Sequence, residues 1–272
     1  MLRHRLVTAI CLGALFLAAL FLLPDLPWAL FLLAFILIGA REWCGLAGFG
    51  RRGQVAFMLV MLGWGLLLLP GTGWLPGLRN PLILLLLGLS AVFWLSIAPF
   101  WLLQRLRVTR SLVLGPVGLI VLLSAWVALV ELRHLGPLAV LGVMATVWLA
   151  DSAAYFAGRR FGKHKLAPEI SPGKTWEGFC GAVLSVMLCG VLACLAWSLS
   201  FWFLPGLLLL VVLSVIGDLF ESWIKRVAGK KDSGTLLPGH GGVLDRIDAL
   251  LPTLPLTLFA LYLPVYLGLL RI

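Results

Sequence analysis

Charge is scarce in this chain. Of 272 residues only 12% are Asp, Glu, Lys or Arg, against about 25% in soluble domains. So few polar side chains cannot cover a water-facing surface, which excludes an ordinary soluble fold. Acidic residues are scarcer still, 11 against 21 Lys and Arg, a net charge of +10. The five cysteines (Cys11, Cys44, Cys180, Cys189 and Cys194) form no CxxC pair, so neither a zinc site nor a disulfide frame is indicated. All lie in or beside apolar stretches and read as packing residues. No small-x-small cleavage site follows the first apolar run, which ends at Pro24-Asp25; the run reads as a retained membrane helix rather than a signal peptide. Heptads and solenoid repeats are also missing.

What is abundant is apolar surface: 62% of the residues. Disordered chains are poor in such residues. The chain reads as an all-α, polytopic integral membrane protein, with about 20 residues needed per span. Nine apolar stretches stand out: 6–23, 27–44, 55–69, 81–103, 112–130, 137–156, 178–199, 201–220 and 247–270. With the N-terminus in the cytoplasm, 18 Lys and Arg fall inside and 3 (Arg79, Arg133 and Arg271) outside. The opposite orientation inverts this ratio, and orientation follows the Lys/Arg bias. Nine acidic residues also fall inside, against Asp25 and Glu131 outside. The positive-inside rule does not require that, so the carboxylates call for a second explanation. Residues 1–135 read as an N-terminal helical part, and residues 136–272 as a C-terminal part holding nearly all the polar chemistry. In a membrane protein the basic excess points to sidedness and anionic headgroups, not to nucleic acid.

Three polar clusters carry that chemistry. In the first, Asp151 lies in an apolar helix with Tyr155 and Gly158 on its face. An ionisable residue in a membrane helix is costly and points to function; the alternative is an ion pair with Arg159 or Arg160. In the second, Ser171-Pro-Gly-Lys174-Thr175-Trp-Glu177-Gly, Gly173-Lys174-Thr175 imitates a P-loop. The first glycine of that motif is replaced by Pro168, and no strand is expected before it. A Pro/Gly loop leading into a helix remains, suited to a phosphate or to an ordinary N-cap. In the third, Asp218, Glu221, Ser222 and Lys225 share a helical face, and Asp245 and Asp248 share another at the start of the last helix. Between them runs a basic, glycine-rich loop with Lys230, Lys231, His240, Gly241 and Gly242. Two carboxylate-bearing helix ends facing such a loop suit Mg²⁺ with phosphates; juxtamembrane salt bridges are the alternative.

These residues resemble a known family. Ser222-x2-Lys225-Arg226-x4-Lys231-Asp232-x-Gly234-x2-Leu237-Pro238-Gly239-His240-Gly241-Gly242-x2-Asp245-Arg246-x-Asp248 is similar to the signature of the phosphatidate cytidylyltransferases, the CDP-diacylglycerol synthases. Asp151-x2-Ala-Tyr155, the run from Gly162 to Pro168, Ser171-Pro-Gly-Lys174-Thr175-x-Glu177-Gly and Ala40-x-Glu42-Trp43 also resemble that family. The resemblance is close in the C-terminal half and mostly one of hydropathy before it. It implies a Mg²⁺-dependent nucleotidyltransferase, with a potassium ion proposed beside the magnesium, acting on CTP and phosphatidate. It further implies a homodimer, multi-pass in the cytoplasmic (inner) membrane, with its active site on the cytoplasmic side. Carried over, Asp218, Asp245 and Asp248 would hold metal, and Ser171, Lys174 and Thr175 would contact CTP. Lys225, Arg226, Lys230, Lys231 and Arg246 would meet phosphates; Asp151, Ser222, Gly241 and Gly242 would lie at the substrate, with His240 among the catalytic candidates. An ion-coupled membrane transporter using the intramembrane aspartates is the rival reading, although transporters place such groups near the midplane between inverted repeats.

Overall fold

The computed structural model describes residues 2–69, 81–236 and 241–267. In chain order they form α1 (Leu2–Leu22), α2 (Asp25–Leu46), α3 (Arg51–Leu67), and α4 (Pro81–Val92), which runs through a π-helical turn (Phe93–Ile97) into α5 (Ala98–Leu103). Then come α6 (Ser111–His134), α7 (Pro137–Phe161), β1 (Lys165–Ala167), β2 (Ser171–Thr175), α8 (Trp176–Trp197), α9 (Phe203–Val227), the single turn α10 (Leu244–Ile247), and α11 (Leu250–Tyr266). Among the described residues, six helices are long and apolar enough to cross a membrane: α2, α4 with α5, α6, α7, α8 and α9. Ile10–Leu22 and Leu250–Pro264 are shorter apolar segments. This is the architecture of a multi-pass helical membrane protein.

Helix α6 is the axis of the bundle. It packs against α2, α4, α7 and α11, and its middle, from Val121 to Ala128, is buried on every side. Such all-round burial requires the uniformly apolar composition seen there. Its few polar contacts fix neighbours where water cannot. Ser124 donates to Ser90 of α4 (3.0 Å), and Trp126 donates to the Ala29 carbonyl of α2 (3.0 Å). Near the other end Trp43 of α2 donates to the Leu114 carbonyl (2.8 Å). Its ring lies against Gly118, where any side chain would collide with it. Arg133, at the end of α6, donates to the carbonyls of Leu20 and Leu23 and lies over the Trp28 ring, 5.3 Å from its centre. It thereby satisfies the last carbonyls of α1, which helix geometry leaves without partners.

The π-helical turn sits just before Pro99. Proline removes a backbone donor, and local π geometry is one way a membrane helix accommodates the loss. The same stretch places Phe93, Trp94 and Trp101 edge-on around Phe220 of α9, with ring centres 5.2, 5.6 and 5.7 Å away. Trp101 and Trp223 both donate to the Leu106 carbonyl, at 2.8 and 2.9 Å. The C-terminal part of α9, which carries Asp218 to Lys225, is therefore held by aromatic packing on one side.

One expectation needs correction. Residues 165–175 are not a loop but an antiparallel hairpin, with Lys165 opposite Thr175 and Ala167 opposite Ser171. Pro168, Pro172 and Gly173 oppose helix there, and the freed backbone pairs with itself. Thr175 then caps α8 by accepting from Gly178 N–H (3.1 Å). Glycine lets this cap sit against α7: a side chain at Gly178 would meet the Ala154 carbonyl, and one at Gly181 would meet the Ala157 methyl. Small residues at a helix crossing bring backbones close, and here they fix β2 beside Asp151. The cysteines also differ from expectation: Cys44 and Cys194 are buried, whereas Cys11, Cys180 and Cys189 face outward.

Candidate functional site

At one end of the bundle, charges from four elements meet. On α9 the i, i+4 spacing works as read from the sequence: Ser222 Oγ donates to Asp218 Oδ1 (3.2 Å), and Lys225 Nζ donates to Glu221 Oε2 (2.7 Å). Lys225 also reaches Asp245 Oδ1 of α10 (2.5 Å). From β2, Lys174 Nζ pairs with Asp218 Oδ2 (2.6 Å). Asp248, in the link between α10 and α11, lies within electrostatic reach of Asp218, Lys174 and Lys225. Asp151 on α7 feels Lys174 and Asp218. Two ammonium groups thus stand among five carboxylates. Asp245 and Asp248 lie at the two ends of the α10 turn, but Asp218 is not at a helix end: it precedes the end of α9 by nine residues, roughly 14 Å along the axis.

Asp245 organises the loop before α10. Its Oδ2 accepts from Ser233 N–H (2.9 Å), Ser233 Oγ (2.9 Å) and Gly242 N–H (2.8 Å). Burial alone would raise this carboxyl, but the Lys225 ammonium and the Gly242 and Ser233 donors outweigh it and hold the group below the usual aspartate range. Gly241 adopts φ +85° beside it, a backbone conformation that favours glycine. Gly242 has no room for a side chain between Ser233 Oγ and Glu42.

Glu42 is the residue that the sequence reading left out of the site. From the end of α2 its Oε1 accepts from Val243 N–H (3.0 Å), and its Oε2 accepts from Leu244 N–H (2.9 Å) and Ser233 Oγ (3.2 Å). It satisfies free amides at the start of α10, which its charge suits. The signal is a carboxylate near the end of an apolar helix, but 191 to 202 residues separate Glu42 from its partners. Ser233 is likewise unmarked by the sequence, which places Glu221 on the α9 face without giving it a role. Glu221 is 1% exposed, and its Oε1 finds no hydrogen-bond partner among the described residues.

The other sequence candidates are spread around this centre. Ser171 is half-buried on β2, and Thr175 is the buried cap of α8. Arg226 Nε lies 3.5 Å from the Ile170 carbonyl at the hairpin. Lys230 Nζ donates to the Gly45 carbonyl (2.8 Å), and Lys231 is exposed nearby in sequence. Arg246 lines an apolar cavity. The suggested partners of Asp151 are engaged elsewhere, Arg159 with Tyr155 (3.3 Å) and Arg160 over the Phe161 ring. His240 lies outside the described residues.

Comparison with known proteins bears on this arrangement. A family model described as the cytidylyltransferase family matches residues 3–264. A Pseudomonas aeruginosa protein named phosphatidate cytidylyltransferase is 40% identical over 268 residues, covering 94% of this chain and 95% of its own. A protein of the same name from Haemophilus influenzae is 37% identical over 294 residues, covering 94% and 96%. Another from Bacillus subtilis is 38% identical over 167 residues, covering 57% and 62%.

Proposed function

The chain belongs to the cytidylyltransferase family, and from this premise we propose that it transfers CMP from CTP to phosphatidate, giving CDP-diacylglycerol and pyrophosphate. The observation that carries the reading is the pair of lysines, Lys174 and Lys225, set among carboxylates at one end of an apolar bundle. A phosphatidate oxygen attacks the α-phosphorus of CTP, and the bond from that phosphorus to the α–β bridging oxygen breaks. Pyrophosphate takes the electron pair. The phosphate is already a nucleophile, so the chain needs no covalent group. The obstacle is repulsion between two polyanions.

The residues answer that obstacle. Lys174 and Lys225, held by Asp218, Glu221 and Asp245, present fixed positive charge where phosphates converge, so little reorganisation is needed as charge builds. Arg226, Lys230, Lys231 and Arg246 extend the basic surface, and the Gly241-Gly242 backbone allows close approach. Ser171, Thr175 and the hairpin border the nucleotide, and His240 stays a catalytic candidate on the sequence alone. Asp218, Asp248 and Asp245 Oδ1 are the hard oxygen donors that would hold Mg²⁺, with potassium beside it. Mg²⁺ takes one or two carboxylates and completes its shell with substrate phosphates and water, so these three need not all bind at once. Such an ion would withdraw charge from the phosphates.

The apolar helices keep the diacyl substrate in lipid, while CTP comes from water. The reading places the chain in the cytoplasmic (inner) membrane as a homodimer of nine-span subunits, with N-terminus and active site on the cytoplasmic side. Purified protein given labelled CTP, phosphatidate and Mg²⁺ is expected to yield labelled CDP-lipid. No product across lipid and metal conditions would overturn the assignment. A reporter fused after Ile272 is expected to be active only on the non-cytoplasmic side; a cytoplasmic signal would mean an even number of spans.

A further inference from the structure

A cavity of about 510 Å³ opens between α1, α2, α7 and the start of α11, within the ~300–1,000 Å³ range of small-ligand sites. Gly13, Phe16, Phe35, Trp148 and Leu250 line it, and Arg246 is the charged residue in its lining. Arg246 directly follows Asp245, so the single turn of α10 separates two environments. Asp245 looks into the charged cluster, and Arg246 looks into the apolar cavity. Beyond the cavity α1 is anchored to its neighbours: Arg133 takes the Leu20 and Leu23 carbonyls, and Phe16 meets Trp28 edge-on at 5.6 Å. Nearer the cluster, Gly13 has no neighbouring atom within 4 Å of where a side chain would begin.

We infer that this cavity is the acyl groove of the lipid substrate, with Arg246 meeting the phosphate and Gly13 setting the groove's width. The inference rests on the cytidylyltransferase reading. Charge and continuity single out the occupant. A diacyl phosphate carries an anionic head and apolar chains, matching one cation, Arg246, in an apolar wall. That lining residue is the chain neighbour of Asp245, which pairs with Lys225, one of the lysines that would act on the phosphate. A neutral lipid would gain nothing from Arg246, and CTP would gain nothing from the wall.

Gly13→Leu tests this. The site is open, and leucine is the better helix former, so the variant is expected to fold and to match the parent in thermal unfolding in detergent. Its KM for dioleoyl phosphatidate is expected to rise about tenfold, with KM for dihexanoyl phosphatidate and for CTP unchanged. Adding Phe35→Ala, which widens the opposite wall, is expected to restore part of the loss. Equal effects on the long- and short-chain lipids, or no effect on either, would overturn the groove while leaving the cytidylyltransferase reading intact. Failure of the parent protein to form any CDP-lipid would overturn that reading, and the groove with it.

Discussion

Asp245→Asn is expected to lower CDP-lipid formation at least about a hundredfold in a protein that still folds. The Asp245 side chain is 6% exposed and that of Lys225 is 12% exposed. Breaking the pair removes one of the two carboxylates that hold the Lys225 ammonium in place, and an added barrier of about 2.7 kcal/mol is a hundredfold in rate. Asparagine cannot satisfy both sides. If its amide oxygen faces the Ser233 and Gly242 donors, its NH₂ faces Lys225, donor against donor. If it turns over, the loop loses its acceptor. Lys225 would keep Glu221 (2.7 Å), so the helix should survive while the loop and the lysine lose their register. Asp218→Asn, which removes the partner of Lys174, is expected to be comparably slow through the other ammonium. Turnover with saturating CTP and phosphatidate, paired with size-exclusion behaviour in detergent, reads this directly. A parental rate in either variant would remove that carboxylate from the mechanism.

Glu42→Ala is expected to act through the loop and not through the substrates. It strips acceptors from Val243 and Leu244 N–H, and a buried donor left unsatisfied costs about 1–3 kcal/mol. Thermal unfolding in detergent should come earlier, and activity should fall. Glu42→Gln keeps one carbonyl acceptor and is expected to recover part of both losses. Because Ser233 Oγ lies between Glu42 (3.2 Å) and Asp245 (2.9 Å), losses from Glu42→Ala and Asp245→Asn should be less than additive, as for residues in one network. Parental stability and activity in Glu42→Ala would mean that α10 holds its place without α2.

Much of this centre was legible in the sequence. The i, i+4 spacings of Asp218 with Ser222 and of Glu221 with Lys225 become contacts as soon as α9 forms, because helix geometry is local. Asp245 and Asp248 were legible for the same reason, and so was the scarcity of charge along the spans. Other features were hidden. The hairpin of residues 165–175 depends on Lys165 meeting Thr175, and its prolines and glycine alone signal only that helix is disfavoured. Arg226 was read as a phosphate contact, yet its guanidinium also lies near the Ile170 carbonyl (3.5 Å), a contact that requires the hairpin to exist first. Glu42 pairs across 201 and 202 residues with backbone amides, and no side-chain pattern marks a backbone amide.

By itself the sequence determined the solvent this chain lives in, the helical periods that span it, and which residues carry charge. Those follow from composition and from geometry repeated every few residues. Only the tertiary structure decided that Lys174 meets Asp218, that Glu42 caps α10, and that Asp245 and Arg246, adjacent in the chain, face a polar cluster and an apolar cavity. Helices in lipid are not driven together by hydrophobicity. Their placement rests on small-residue crossings such as Gly178 with Ala154, and on buried donors such as Trp43 and Trp126 finding carbonyls on other helices. Those pairings are specific, few and distant in sequence.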